Sequence, residues 1–408
     1  MTMARLPDAP WRHRPGFDAL CALLGAADGA TRLVGGAVRD GLLGVDVADI
    51  DLATALLPDE VTQRLSQAGI KVVPTGLAHG TVTAVIDHRP VEITTLRSDI
   101  STDGRRATIA YTDDWREDAA RRDFTINALY ADPATGEVYD YFGGLEDLEA
   151  RHVRFIGDPA QRIAEDHLRI LRYFRFLARF GALPPDAAAY AACRANANSL
   201  MALSRERIAD ELLKLLALPE PSAVLRLMIE GGIFAPVLPE IDGAGLARLE
   251  ALIMREQQAA LETPPAAVLR LCALLPPDAA VGEQVAARLK LSNKARKRIV
   301  TALAPPPAHG CAQELVYRVG TEAAFDLILL DRTEMPRDMC ALSHWNIPVF
   351  PLSGRDIIAL GIVAGPNVAN LLSTSKEQWI AEGFPDRDRA RAIAQAQVAE
   401  FLRERQNS

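Results

Sequence analysis

Several features that would narrow the function at once are missing from this sequence. Its five cysteines, Cys21, Cys193, Cys272, Cys311 and Cys340, lie far apart, with no CxxC pair and no Cys/His cluster. That scatter excludes a zinc ribbon or a disulfide scaffold and fits core thiols in a reducing compartment. No apolar run approaches the roughly 20 residues of a membrane helix. Pro7, Pro10 and Pro15 interrupt the first stretch, so no basic start leads into an apolar leader. A cytoplasmic location is the expectation. An excess of positive charge is also lacking: 45 basic against 53 acidic side chains leave a net charge of −8. This argues against indiscriminate binding to nucleic acid and confines any RNA site to a local basic patch. No repeat at a fixed period is present, and low complexity is limited to the Ala-rich stretch Asp186 to Ala197.

With 408 residues, 49% of them hydrophobic, the chain can fill two or more cores. Over the first 150 or so residues, short β-branched runs alternate with helical stretches, the pattern of a sheet covered by helices. Strands are expected at Thr31 to Val34, Ile50 to Ala53, Val82 to Ile86, Val91 to Thr95 and Ile126 to Tyr130. Beyond Gly157 the strand signals vanish, leaving Ala/Leu/Arg-rich segments punctuated by Pro or Gly, such as Leu183-Pro184-Pro185 and Leu218-Pro219. The fold class is therefore α+β: a mixed-sheet head over residues 1–150, a helical neck over 151–217, a helical body over 218–345 and a helical tail over 346–408.

Three constellations carry chemistry. The first is Leu33-Val34-Gly35-Gly36-Ala37-Val38-Arg39-Asp40, followed by Asp49-Ile50-Asp51. Gly35 and Gly36 at a strand end let backbone N–H groups approach a phosphate, and a helix starting near Ala37 offers its positive end to the same anion. Arg39 can clamp phosphate oxygens. Asp49 and Asp51, two apart on a strand, point to one side and present paired carboxylates to a hard cation, with Mg2+ the natural occupant. Two such ions would activate an attacking 3′ hydroxyl and stabilise departing pyrophosphate. Glu92, between Val91 and Ile93, fits either a third carboxylate near the metals or a cross-strand partner for an arginine.

The second constellation is Arg121-Arg122-Asp123-Phe124-Thr125-Ile126-Asn127-Ala128-Leu129. Arginine suits triphosphate and ribose contacts because its planar fork makes paired, charge-assisted hydrogen bonds; Asp123 and Asn127 are placed to orient it, while Phe124, Ile126 and Leu129 belong to the core. The third runs from Glu165 to Phe176 and reads as one helix, with Asp166, Arg169, Arg172 and Arg175 on a slowly drifting face. A carboxylate accepts from an exocyclic amine and a guanidinium donates to a ring nitrogen, so Asp166 with Arg169 complements the edge shared by cytosine and adenine. His167 reads as structural.

The order and spacing of these motifs closely resemble the class II tRNA nucleotidyltransferase and bacterial poly(A) polymerase family, within the DNA polymerase beta superfamily. The resemblance implies that Arg122 touches the incoming nucleotide, that Asp166 and Arg169 act as a protein template for CTP and ATP, and that Arg172 and Arg175 help bind the nucleotide. It implies a full CCA addition to the tRNA 3′ end, with poly(A) polymerase or A-only and CC-only addition as the alternatives. Thr75-Gly76-Leu77-Ala78-His79-Gly80 looks like the CCA-adding version of that segment. Arg97 to Arg106 reads as a mobile loop of the kind that switches the family's pocket from C to A. Some relatives carry a phosphohydrolase module with consecutive His-Asp; none of the seven histidines here precedes an aspartate, so that activity is not expected. The basic stretches Arg205 to Lys214 and Arg288 to Arg298 fit solvated faces or phosphate contacts, and the family's body domain favours RNA. Ser353 to Gly361, Gly365-Pro366-Asn367 and Leu371-Leu372 resemble the family's tRNA-contacting tail.

Overall fold

The computed structural model describes residues 4–47, 49–102, 107–259, 266–330 and 339–406. The chain packs as two compact units, one ending at Gly243 and the other beginning at Ala244. That break falls inside the stretch 218–345 expected as one body.

The first unit opens with the mixed sheet. Its strands are β1 Thr31–Val34, β2 Ile50–Thr54, β3 Lys71–Gly76, β4 Thr81–Ile86, β5 Arg89–Thr95, β8 Leu129–Ala131 and β9 Val138–Asp140, in the order β3-β4-β5-β2-β1-β8-β9. Strands β6 Arg97–Thr102 and β7 Ala107–Tyr111 form a separate two-stranded ribbon. Among the described strands only the neighbours β2 and β5 run parallel, the chain between them turning back twice through β3 and β4. The β4–β5 connection is the two residues Asp87 and His88, both at positive φ, as a two-residue hairpin turn demands.

Helices α1 Phe17–Leu23, α2 Gly36–Leu42, α3 Pro58–Gln67, α4 Trp115–Ala120, α5 Gly144–Glu149, α6 Pro159–Glu165, α7 Arg169–Phe180, α8 Ala187–Ala195, α9 Arg205–Leu216 and α10 Ser222–Glu230 complete the unit. α7 is strongly two-faced. Ile170, Leu171, Tyr173, Phe174, Phe176, Leu177 and Phe180 are buried, and the arginines at 169, 172, 175 and 179 follow the other stripe, as a 3.6-residue period requires. Phe124 from the head and Phe155 just after it join Tyr173 and Phe176 of α7 in one aromatic cluster, with ring centroids 5.0 to 6.2 Å apart. α9 and α10 pack on α7.

The second unit consists of α11 Gly243–Gln258, α12 Ala267–Leu274, α13 Ala279–Arg288, α14 Asn293–Leu303, α15 Ala312–Val319, α16 Thr321–Leu329, α17 Met339–Ser343, α18 Gly354–Ala359, α19 Pro366–Ala381 and α20 Arg387–Gln406. Its buried side chains include a cluster around Leu315, Val316, Leu327 and Ile328 and another around Trp379, Ile380 and Ile393. Among the described residues beyond Gly157 there is no strand, as the sequence suggests. No described helix is long and apolar enough to cross a membrane.

Two local expectations are overturned. Ile126 to Tyr130 is not one strand: Thr125–Asn127 forms a 3-10 turn closed by the Asn127 and Ala128 amides on the Phe124 and Thr125 carbonyls, and β8 starts only at Leu129. Arg97 to Arg106 is not a plain loop, since Arg97–Thr102 pairs antiparallel with Ala107–Tyr111; residues 103–106 lie outside the described residues.

Candidate active site

The site begins at the sheet's parallel seam. Ile50 and Leu52 on β2 are fully buried, and strand alternation turns Asp51 to the opposite face, with Asp49 exposed just before the strand. Parallel register sets Glu92 of β5 directly beside Asp51. Burial first, and then the charge of Glu92, push the Asp51 carboxyl up to about 6; Asp49 adds to this and Arg122 opposes it. Negative charge crowded onto a half-buried edge is what a cation would relieve. Among the described residues no group of three or more His, Cys, Asp or Glu can hold a metal ion alone. Mg2+ commonly takes only one or two protein carboxylates and completes its shell with water and substrate phosphates, so the pair Asp49 and Asp51 fits an ion that arrives with a nucleotide.

The glycine cradle closes on this edge. Gly35 takes φ +65° between β1 and α2, and a Cβ there would meet the Arg122 guanidinium at 3.5 Å and the Asn127 carbonyl at 3.6 Å. Only glycine holds that conformation without strain while leaving the space in front of it narrow. Arg39, one turn into α2, is 5% exposed. It is bonded to Asp40 (2.8 Å) and to the Asn127 side-chain oxygen, and its guanidinium lies over the rings of Phe176 and Phe180 at 5.2 and 4.1 Å. Arg39 therefore ties α2 to motif and helix, with its guanidinium 3.7 Å from where a Gly36 Cβ would stand.

Arg122 is held by residues that the sequence did not single out. Asp118, 1% exposed on α4, accepts from Arg122 at 3.1 and 3.4 Å, from Arg121 at 2.8 Å and from the Tyr130 hydroxyl at 2.6 Å. Burial raises the Asp118 carboxyl, but the charges of Arg122 and Arg121 and the Tyr130 bond outweigh it and bring it down to about 2. Asp123 and Asn127 do not orient Arg122 as expected. Asp123 instead accepts from Asn127 (3.0 Å) and from Arg172 (2.5 and 2.8 Å). Arg172 also faces Glu211 of α9 at 3.7 Å, and Arg175 donates to the same carboxylate at 2.6 Å. The i, i+4 spacing of Asp118 on α4 and Arg122 just past its end was a signal available in the sequence; Glu211 lies 36 residues from Arg175 and left none.

The third motif is not a single helix. α6 ends at Glu165, Asp166 takes an extended conformation (φ −150°, ψ 108°), and α7 begins at Arg169. Aspartate readily leaves a helix to bond nearby backbone N–H groups, and the Asp166 carboxylate accepts from the Leu168 amide at 3.0 Å. The expected Asp166–Arg169 face is thus replaced by a joint. Arg169 bonds Glu165 (2.6 Å), the Arg162 carbonyl (3.0 Å) and the Arg121 carbonyl (3.1 Å), which places it against the second motif. His167 is structural, bonded to the Ile163 carbonyl at 2.9 Å.

A glycine turn at a strand end, paired acids on the neighbouring strand and an anchored arginine on a mixed sheet are what a nucleotidyltransferase head requires. Residues 31–154 match the model of the poly A polymerase head domain, and residues 184–244 match that of the probable RNA and SrmB-binding site of polymerase A. The chain is 35% identical to the mitochondrial CCA tRNA nucleotidyltransferase 1 of Danio rerio over 363 residues, covering 85% of this chain and 83% of the relative. It is 34% identical to the Homo sapiens protein of the same name, covering 90% and 87%, and 31% identical to the CCA-adding enzyme of Levilactobacillus brevis, covering 86% and 90%. The chain belongs to the CCA-adding tRNA nucleotidyltransferase family. The solved Bacillus stearothermophilus CCA-adding enzyme in complex with CTP superposes with a TM-score of 0.74 at 28% identity, covering 97% of this chain and 99% of that one. The Thermotoga maritima CCA-adding enzyme complexed with tRNA shares the fold with a TM-score of 0.70 at 18% identity, covering 98% and 100%.

Proposed function

We propose that this protein adds CMP, CMP and AMP, from CTP and ATP, to the 3′ end of tRNA without a nucleic-acid template and with Mg2+ as cofactor. One observation carries the reading: the Arg122 guanidinium stands against the Gly35 cradle and its charge acts on the Asp51 carboxylate, while Arg169 is anchored on the carbonyl of neighbouring Arg121. Phosphate-handling and base-reading groups therefore meet at one pair of residues.

In this reading Asp49 and Asp51 hold Mg2+, which when bound supplies Lewis-acid activation of the 3′ hydroxyl and charge neutralisation for leaving pyrophosphate. The backbone of Gly35 and Gly36 receives the triphosphate, and Arg122, fixed by Asp118 and Tyr130, donates to its oxygens or to the ribose. Arg172 and Arg175 keep α7 against motif and α9 through Asp123 and Glu211, setting the position of the nucleotide; Arg39 does the same from the cradle side. Asp166 and Arg169 select cytosine and adenine by donor–acceptor polarity, whereas uracil and guanine present the reverse pattern. The division of labour is head 1–150, neck 151–217, body 218–345 and tail 346–408, the last two receiving tRNA, in a cytoplasmic setting.

The test is product length. Protein with Mg2+, CTP, ATP and a tRNA ending before CCA should lengthen it by three residues reading C, C, A. A product gaining only A marks an A-adding enzyme, and a long A tail marks a poly(A) polymerase; either overturns the reading.

A further inference from the structure

Asp166 sits in the joint between α6 and α7 with both carboxylate oxygens engaged. One accepts from the Leu168 amide at 3.0 Å, and the other from the Arg207 guanidinium at 2.8 Å. Arg207 comes from the first turn of α9, 41 residues further along the chain. Arg169 is fixed independently by Glu165 and two carbonyls. The two groups assigned to base reading are thus not held by each other, and each has its own anchor.

We infer that Arg207 is a positioning residue for nucleotide selection, setting the plane of the Asp166 carboxylate so that a remaining lone pair faces the exocyclic amine of cytosine or adenine. The inference rests on the template reading of Asp166 and Arg169. A single hydrogen bond to the Leu168 amide leaves the carboxylate free to swing about that bond; a second, charge-assisted bond on the other oxygen fixes its plane. An unfixed carboxylate accepts less well from the amine and yields more easily to water that can satisfy the O4 of uracil or the O6 of guanine, so discrimination falls for both additions together. The pair contributes little to stability, since the Arg207 and Asp166 side chains are 41% and 31% exposed. α9 is held instead by its buried Ile208, Leu212, Leu215 and Leu216.

The experiment compares Arg207→Ala, Arg207→Lys, Asp166→Ala and the double variant on tRNA lacking CCA, measuring kcat/KM for CTP against UTP and for ATP against GTP, with a thermal melt of each. Arg207→Ala should reduce both preferences about tenfold, chiefly through the nucleotide KM, with an unchanged melt. Arg207→Lys should recover part of the loss. Asp166→Ala should lose as much or more, and the double variant should behave like Asp166→Ala, because one residue acts through the other. Selectivity retained in Arg207→Ala but lost in Asp166→Ala overturns the inference while leaving the template reading intact. Selectivity retained in both overturns the template reading itself.

Discussion

At the scale of single residues, the cost of the site is concentrated on Asp51. Its carboxyl stands at about 6 against an ordinary value of 3.8. Between those values the folded chain binds a proton that the unfolded chain has released, so stability falls as pH rises through that window and the penalty is complete above it. Each unit corresponds to about 1.4 kcal/mol, so after screening by solvent the penalty is about 1–3 kcal/mol. Asp51→Asn is therefore expected to melt a few degrees above the natural protein at pH 7.5 and level with it near pH 4, with transfer abolished. Calorimetry at the two pH values checks this; an equal melt at both would remove the electrostatic strain. The aspartates, glycines and Arg122 were legible because their chemistry depends on spacing within one stretch of chain. Tyr130, which holds Arg122, Glu211, which holds Arg172 and Arg175, and Arg207, which holds Asp166, were not, because each arrives from an element whose packing direction no local pattern encodes.

At the scale of elements, α4 and β8 are joined through Asp118. Asp118→Ala leaves Arg121 and Arg122 without their buried counter-charge and the Tyr130 hydroxyl without its acceptor, an expected loss of about 3–5 kcal/mol. Tyr130→Phe removes two hydrogen bonds, the one donated to Asp118 and the one accepted from Arg122, and should cost about 2 kcal/mol. Denaturant titration ranks the two, and transfer assays should show a raised nucleotide KM in Tyr130→Phe; equal stabilities would contradict the hub. The central strands β1, β2, β4 and β5 were readable from buried, β-branched alternation. β3 and β9 sit at the sheet edges and β6 with β7 in a separate ribbon, where polar residues blur the period. The kink at Asp166 was hidden because apolar spacing on either side continues unbroken through it.

At the scale of the whole molecule, the basic stretch of the second unit is less available than its composition suggests. Arg296 pairs with Glu283, and Arg298 forks onto Asp326 at 2.7 Å and meets Glu322 at 2.8 Å. Lys294 and Lys297 on α14 are the members left for phosphate. Replacing both with Ala should weaken tRNA binding and flatten its log–log salt dependence by about 1–2, with turnover at saturating tRNA unchanged. An unaltered slope would make the stretch a solvated face. The two-layer character of the chain, sheet then helices, was plain in the sequence. The break after Gly243 was not, because the Pro and Gly near it look like those at Leu183-Pro184-Pro185, where the chain folds back into the same unit.

The central claim is that Asp49 and Asp51 carry nucleotidyl transfer in a head to which tRNA binding owes little. Asp49→Ala and Asp51→Ala should each abolish CMP incorporation into tRNA lacking CCA, while tRNA affinity measured on the same preparations stays within about twofold of the natural protein, since neither carboxylate contributes to phosphate binding. Turnover retained by either variant would contradict it.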